Sequence, residues 1–317
     1  MAPDAKHLET GSKDAPDILV LRSHAKINLY LDVLRRRDDG YHNIETIFQT
    51  VSLHDTLTFQ DDPSGRVSLT CSRADLETGD GNLVCRAAAL LRKHSGCARG
   101  AAVHLEKNIP VAAGLAGGSG NAAAALVGLN ALWVLGLTET DLQELALELG
   151  SDVPYCLTGG SMAGTLRGEK LAPIAPPHPW RYVLVHPPLA VSTAQVYNHP
   201  LLEKNTEPVM GGRTASFQRA IEAFEAGDIA GTVFNRMESP VFAMHPVLAE
   251  IKAQLLAAGC LAAAMSGSGP TIFGVCADPA EAGRVAEVLG SAYAVTVAGD
   301  VPAGVERVDA AGDAPEF

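Results

Sequence analysis

Near the start of the chain, apolar and polar side chains alternate with the two-residue period of half-buried strands. Ile18–His24, Lys26–Leu34, Glu45–Val51, Thr56–Phe59 and Val67–Cys71 all follow it. The run Arg36-Arg37-Asp38-Asp39-Gly40 breaks the alternation as a charged turn. The period then lengthens. Over Asn82–His94 the apolar Leu83, Ala87, Leu90 and Leu91 fall at helical spacing, and Ala101–Lys107 returns to a strand. Ala122–Leu137 is the most apolar stretch. It is shorter than a membrane span and interrupted by Gly128 and Asn130, so it predicts a buried core helix. A helix over Glu139–Leu149 follows, with Thr138 as N-cap and Gly150 just past its end.

Pro173, Pro176, Pro177 and Pro179 crowd the stretch before Trp180 and mark a change of domain. Beyond them the pattern predicts a strand at Tyr182–His186 and helices near Ser216–Ala226, Ile229–Glu238 and Pro246–Ala258. Strands at Leu261–Met265 and Thr271–Val275, a helix at Ala280–Leu289 and a strand at Tyr293–Val297 complete the order. That order is β-α-β-β-α-β with an elaborated first crossover, the ferredoxin-like arrangement. The expectation is an α+β chain of two domains, 18–178 and 179–300, with a disordered tail over 1–17 and a loose C-terminal tail over 301–317.

A composition 47% hydrophobic and 19% charged is that of a globular protein with a sizeable core. The formal net charge of −12 argues against a nucleic-acid or anionic-membrane surface, which needs clustered positive charge. It leaves room for a small anionic ligand in a local pocket. Six scattered cysteines form no C-x-x-C pair, which predicts neither a disulfide framework nor a zinc site and points to a reducing cytoplasm. The N-terminus, MAPDAKHLETGSKDAPD, lacks the apolar core of a signal peptide.

Four segments carry candidate chemistry. After the Ala101–Lys107 strand, a loop with Gly114, Gly117, Gly118 and Gly120 opens directly into the apolar helix. Glycines let a backbone approach a ligand closely, and a helix start adds free N–H groups and a positive dipole end. The natural guest is a phosphate chain; the alternative is a turn that merely starts a helix. In the second segment, strand alternation puts Lys26, Asn28, Tyr30 and Asp32 on one face, opposite Ile27, Leu29, Leu31 and Val33. A lysine there is either a functional cation or part of a solvated face. Third, Asp152 in Gly150-Ser151-Asp152-Val153-Pro154 either caps a turn or accepts a proton. Fourth, Ser266-Gly267-Ser268-Gly269-Pro270 is a tight turn or a second phosphate-wrapping loop. G-x-x-x-x-G-K-S/T, the protein-kinase H-R-D and D-F-G sets, and G-x-G-x-x-G after the strand are all absent.

In combination and order, Lys-x-Asn on an early strand, P-x-x-x-G-L-x-G-G-S opening a helix, Ser-Asp-Val-Pro and S-G-S-G-P-T resemble the GHMP family of small-molecule kinases over about residues 18–300. Within that family, Asp39-Gly40-Tyr41-His42 after Ala25-Lys26-Ile27-Asn28-Leu29 resembles the branch that phosphorylates the 2-hydroxyl of a cytidyl-diphosphate-linked methylerythritol. The resemblance implies a two-domain GHMP kinase architecture, an N-terminal β-α domain plus a ferredoxin-like one. It implies ATP as co-substrate, Mg2+, and a small-molecule cytidine diphosphate substrate, and leaves the oligomeric state open. ATP binding is then expected at Pro110, Val111, Ala112, Ala113, Gly114, Leu115, Ala116, Gly117, Gly118, Ser119 and Gly120. Asp152 would accept the proton of the attacking hydroxyl, Lys26 would orient that aspartate, and Asn28, Tyr41, His42 and Tyr197 would form the substrate pocket. Where the family commonly reads G-L-G-G-G-S-S-D/N, this chain has Ala116 and Gly120. Ala116 is expected to avoid positive φ, and Gly120 to remove a hydroxyl from the phosphates or the metal. The rivals are a mevalonate- or homoserine-type kinase and a non-catalytic nucleotide-binding protein.

Overall fold

A computed structural model describes residues 18–308. The chain opens with β1 (Ile18–Arg36), β2 (His42–Asp62), β3 (Val67–Cys71), α1 (Leu83–Ser95), β4 (Gly100–Glu106) and α2 (Gly117–Leu132). Next come α3 (Glu139–Leu149), α4 (Val153–Thr158), β5 (Ser161–Thr165) and β6 (Lys170–Pro173). After the prolines follow β7 (Arg181–His186), α5 (Thr193–Tyr197), α6 (Ala215–Ala226), α7 (Ile229–Thr232), β8 (Phe234–Asn235), α8 (Glu238–Met244) and α9 (Pro246–Ala257). The last elements are β9 (Ala262–Met265), β10 (Ile272–Cys276), α10 (Pro279–Gly290), β11 (Ala294–Gly299) and β12 (Val305–Val308).

Two sheets organise these elements. The first runs β12-β1-β2-β4-β3, with β5 on β2, β6 on β5, and β8 beside β1. The second is the antiparallel set β11-β7-β10-β9, the ferredoxin-like order expected from the sequence. One apolar core lies between the first sheet and α1–α4. A second joins Ile27, Leu29 and Ile47 to Tyr182, Leu184 and Phe273, so the two sheets share buried surface. A third packs α8–α10 onto the ferredoxin-like sheet. At the centre of the first core, α2 has eleven of its sixteen residues buried, including Ala122–Ala125. A helix apolar all round must be surrounded. Its alanines keep neighbouring backbones close, and larger residues there would cost about 1–3 kcal/mol in overpacking. Beside it, α3 carries the expected cap: Thr138 and Asp141 bond each other's backbone N–H groups.

The strand breaks expected near Ala25 and between Val51 and Thr56 are bulges inside continuous strands. The β1–β2 register shifts between His24 and Ala25, and again between Asn28 and Tyr30. The second shift alters which side chains share a face. Lys26, Asn28 and Leu31 line one cavity, whereas Tyr30 packs with Ile27 and Leu29. Tyr30 and Asp32 therefore do not continue the face of Lys26, and none of these residues lies on a solvated face.

The helix expected over Ile229–Glu238 is split in three. β-Branched Thr232 and Val233 end α7, and β8 crosses to pair with Tyr30 and Leu31 of β1. Asn235 holds that crossing by donating to the carbonyls of Met265 and Gly267. The expected loose tail over 301–317 is also corrected, because Val305–Val308 form β12 and pair with Val20–Ser23 of β1. Residues 309–317 and the expected tail at 1–17 lie outside the described residues. The short α4 and α5 and the β5–β6 hairpin have no counterpart in the sequence pattern.

Candidate active site

A cavity of about 590 Å³ opens between the two sheets. Lys26 and Asn28 of β1, Tyr41 and His42 at the β1–β2 turn, Asp152 before α4 and Tyr197 of α5 all line it. Ala112, Gly114 and Ala116 of the glycine loop line it too, as do Gly267, Ser268 and Gly269. The remaining members of the expected ATP segment, Pro110, Val111, Ala113, Leu115, Gly117, Gly118, Ser119 and Gly120, are not among its lining residues.

Lys26 and Asp152 meet here: Nζ lies 3.6 Å from Asp152 Oδ2. The lysine is 5% exposed and is oriented from behind. Its Nζ donates to Asn28 Oδ1 (2.7 Å), Asn28 Nδ2 donates to Thr46 Oγ1 (2.8 Å), and Thr46 Oγ1 donates to the Tyr30 carbonyl (2.7 Å). With its oxygen toward Lys26 and its nitrogen toward Thr46, the Asn28 amide has one orientation, and the ammonium is steered toward Asp152. Asp152 stands at the N-cap of α4 in αR conformation, and its carboxylate makes no capping bond. It is therefore no turn cap, and its lone pairs stay open to the cavity.

The glycine loop and the Ser266–Pro270 loop interlock through one side-chain and one backbone hydrogen bond. Ser266 Oγ donates to the Gly114 carbonyl (2.9 Å), and Thr271 N donates to the Ala113 carbonyl. Gly114 has φ +78°, and a Cβ there would lie 2.1 Å from the Ser266 carbonyl oxygen, so no side chain fits. Lys26 N donates to the Leu115 carbonyl (3.1 Å), tying the loop to β1. At the start of α2, Gly117, Gly118 and Ser119 carry the helix's unpaired N–H groups.

Both departures in the loop take an unexpected form. Ala116 is left-handed, with φ +56°, contrary to the expectation that an alanine there avoids positive φ. Ala112 is left-handed as well, with φ +53°. Such a conformation costs an L-residue about 1–2 kcal/mol. Gly120 is buried, and a Cβ there would lie 2.5 Å from Ser23 Oγ. The position faces β1, so its missing hydroxyl is lost from a packing contact and not from the cavity. Ser23 Oγ, fully buried without a hydrogen-bond partner, stands in that space.

A network the sequence reading stepped over fixes the loop's approach. Asp55 Oδ1 accepts from the backbone N–H groups of Asn108 and Ile109, both at 2.8 Å. Its Oδ2 accepts from Lys107 Nζ (2.6 Å) and Asn121 Nδ2 (2.8 Å), and Lys107 also donates to the Ile109 carbonyl. Burial pushes the Lys107 ammonium below its ordinary pKa against the pull of Asp55. The sequence signal was slight: Asp55 fell between two expected strands, and Lys107 closed a third beside Glu106.

Around the β1–β2 turn the cavity is aromatic and basic. His42 and Tyr197 stack, with ring centroids 5.0 Å apart and planes 12° apart. His42 Nε2 is buried and has no hydrogen-bond partner. Burial first, then the charges of Lys204 and Arg36, hold the His42 imidazole below its usual range. Burial, with the Asp152 charge behind it, pushes the Tyr197 phenol up to about 12. Tyr41 is 57% exposed, with the Arg167 guanidinium 5.0 Å above its ring.

Among the described residues no group of three or more His, Cys, Asp or Glu side chains could hold a metal, and no helix is long and apolar enough to cross a membrane. Asp152 is the one carboxylate lining the cavity. That donor set fits magnesium carried mainly by phosphate oxygens and water, which needs no protein cage.

A model of the GHMP kinases N terminal domain matches residues 82–160, and one of the GHMP kinases C terminal region matches residues 203–295. The chain is 47% identical over 272 residues to 4-diphosphocytidyl-2-C-methyl-D-erythritol kinase of Pelotomaculum thermopropionicum, covering 85% of this chain and 93% of the relative. The enzyme of the same name from Gloeobacter violaceus is 42% identical, covering 85% and 89%. A crystal structure of 4-(cytidine 5'-diphospho)-2C-methyl-D-erythritol kinase superposes with TM-score 0.74 at 34% identity, covering 89% of this chain and 98% of that one. Homoserine kinase from Cytophaga hutchinsonii superposes at 0.73 with 18% identity, covering 95% and 100%, a likeness of fold alone. The chain belongs to the GHMP kinase family, kinases that use ATP to phosphorylate small molecules.

Proposed function

We propose that this kinase transfers the γ-phosphoryl group of ATP to the 2-hydroxyl of 4-diphosphocytidyl-2-C-methyl-D-erythritol, giving the 2-phosphate and ADP, in the non-mevalonate route to isoprenoid precursors. The observation that carries the reading is the Lys26–Asp152 pair, held open on a cavity that has a glycine-loop wall and an aromatic, basic turn. Phosphoryl transfer asks for alignment and charge neutralisation more than for covalent help. Asp152, with free lone pairs, accepts the proton of the attacking hydroxyl. Lys26, fixed through Asn28 and Thr46, holds that carboxylate in place and offsets charge on the transferring group. The glycine loop and the free N–H groups of Gly117–Ser119 hold the ATP phosphates. Magnesium, when bound with ATP, supplies further neutralisation of phosphate charge, with Asp152 the carboxylate at hand. The stacked rings of His42 and Tyr197, with Tyr41, form the aromatic wall that receives the cytosine. Six free cysteines suit a cytoplasmic setting.

The test is purified protein with ATP, magnesium and the cytidyl substrate, following ADP release. Turnover is expected; its absence, together with turnover on mevalonate or homoserine, would overturn the acceptor assignment.

A further inference from the structure

The chain carries a formal charge of −12, yet its cavity is lined by Lys26, Arg36 and Arg167 against Asp152 alone. Lys26 is committed to Asn28 and Asp152. Arg36 has no such commitment, and Arg167 is paired only through its Nε edge. Arg36 donates from Nε to the Gly40 carbonyl (3.2 Å) and has no carboxylate partner among the described residues; the neighbouring Asp39 pairs with Arg37 instead. Arg167 Nε is buried and pairs at 3.6 Å with Glu169 Oε1, which leaves its two Nη groups without a hydrogen bond among the described residues. Its guanidinium lies over the face of Tyr41, and a stacked guanidinium keeps its N–H edge free. Both arginines flank the Tyr41–His42 turn, and the charge of Arg36 is felt at His42. Two guanidinium groups with unspent donors beside an aromatic base slot match a nucleoside diphosphate, because the planar fork of arginine pairs with phosphate oxygens.

We infer that Arg36 and Arg167 are specificity residues that receive the diphosphate bridge of the acceptor, so that this kinase selects a nucleoside-diphosphate-linked alcohol over a free one. The inference rests on the acceptor reading given above. Arg167 has a second task in the same geometry: it steadies Tyr41, an exposed ring, above the slot.

The experiment uses the full chain and two probes, CDP and cytidine, titrated calorimetrically into the wild type and into Arg36→Met, Arg167→Met and the corresponding lysine variants. Wild type is expected to bind CDP about tenfold or more tightly than cytidine, the scale of charge-assisted bonds. Each methionine variant should lose most of that preference while cytidine affinity stays put, and lysine should restore part of it. In turnover, KM for the cytidyl substrate should rise while kcat and KM for ATP hold within about twofold. Equal binding of CDP and cytidine by wild type, or an undiminished preference in both methionine variants, would overturn the inference. So would a loss of cytidine binding that matches the loss of CDP, since the arginines would then only shape the slot. A wild type that prefers CDP yet never phosphorylates the cytidyl substrate would defeat the acceptor reading and leave the arginine assignment standing.

Discussion

Among the described residues two lysine–aspartate pairs occur, and they are built to opposite specifications. Lys107 and Asp55 are 2.6 Å apart with side chains 3% and 0% exposed, and both oxygens of Asp55 accept further hydrogen bonds. Lys26 and Asp152 stand 3.6 Å apart, and the Asp152 side chain is 35% exposed with no other bond. A carboxylate whose lone pairs are all taken has no capacity left for chemistry; it can only hold backbone in place. A carboxylate held at one edge and open at the other can take a proton. Saturation of the partner, more than the presence of a buried lysine, separates a structural pair from a reactive one.

Substitutions can break that distinction if it is wrong. The largest effect is expected at the closed pair: Asp55→Asn or Lys107→Met should cost about 3–5 kcal/mol in urea unfolding, because one charge is left buried without its partner. A loss below about 1 kcal/mol would remove the pair's structural role. At the open pair the effect should move from stability to rate. Asp152→Asn should lower turnover at least about a hundredfold while the urea midpoint stays unchanged. Near wild-type turnover would remove Asp152 from the mechanism.

Tyr197→Ala tests the slot beyond the open pair. KM for the cytidyl substrate should rise about tenfold, the scale of one lost base–aromatic stack, with KM for ATP unmoved. A rise in KM for ATP would place the ring on the wrong side of the reaction. The smallest effect belongs to the loop that the closed pair holds. Ala116→Gly should raise stability by up to about 1 kcal/mol in urea by relieving left-handed strain. A loss of stability would mean that the alanine methyl packs well enough to outweigh its backbone.

Much of this was legible in the sequence because local chemistry fixes it. The helices and strands with clear periods, the caps at Thr138 and Gly150, and the glycine loop's entry into α2 follow from spacing and turn residues. What was not legible depends on partners distant in the chain. The register shift at Asn28 and Tyr30 is a property of two strands together, so alternation within β1 alone put Tyr30 on the wrong face. Asp55 receives donors from residues more than fifty positions away and looked like loop polarity between two strands. Gly120 read as a missing ligand because nothing in its own neighbourhood reveals that Ser23 lies against it.

The pairing of β12 with β1 bears on how the enzyme is made. Among the described elements β1 comes first in the chain, and its edge partner, Val305–Val308, comes last. Until then that edge stays a row of unpaired backbone groups, open to strands of other nascent chains. Synthesis of Val305–Val308 therefore closes the Val20–Ser23 edge of the sheet that carries Lys26, and a chain truncated before Val305 would leave that edge exposed.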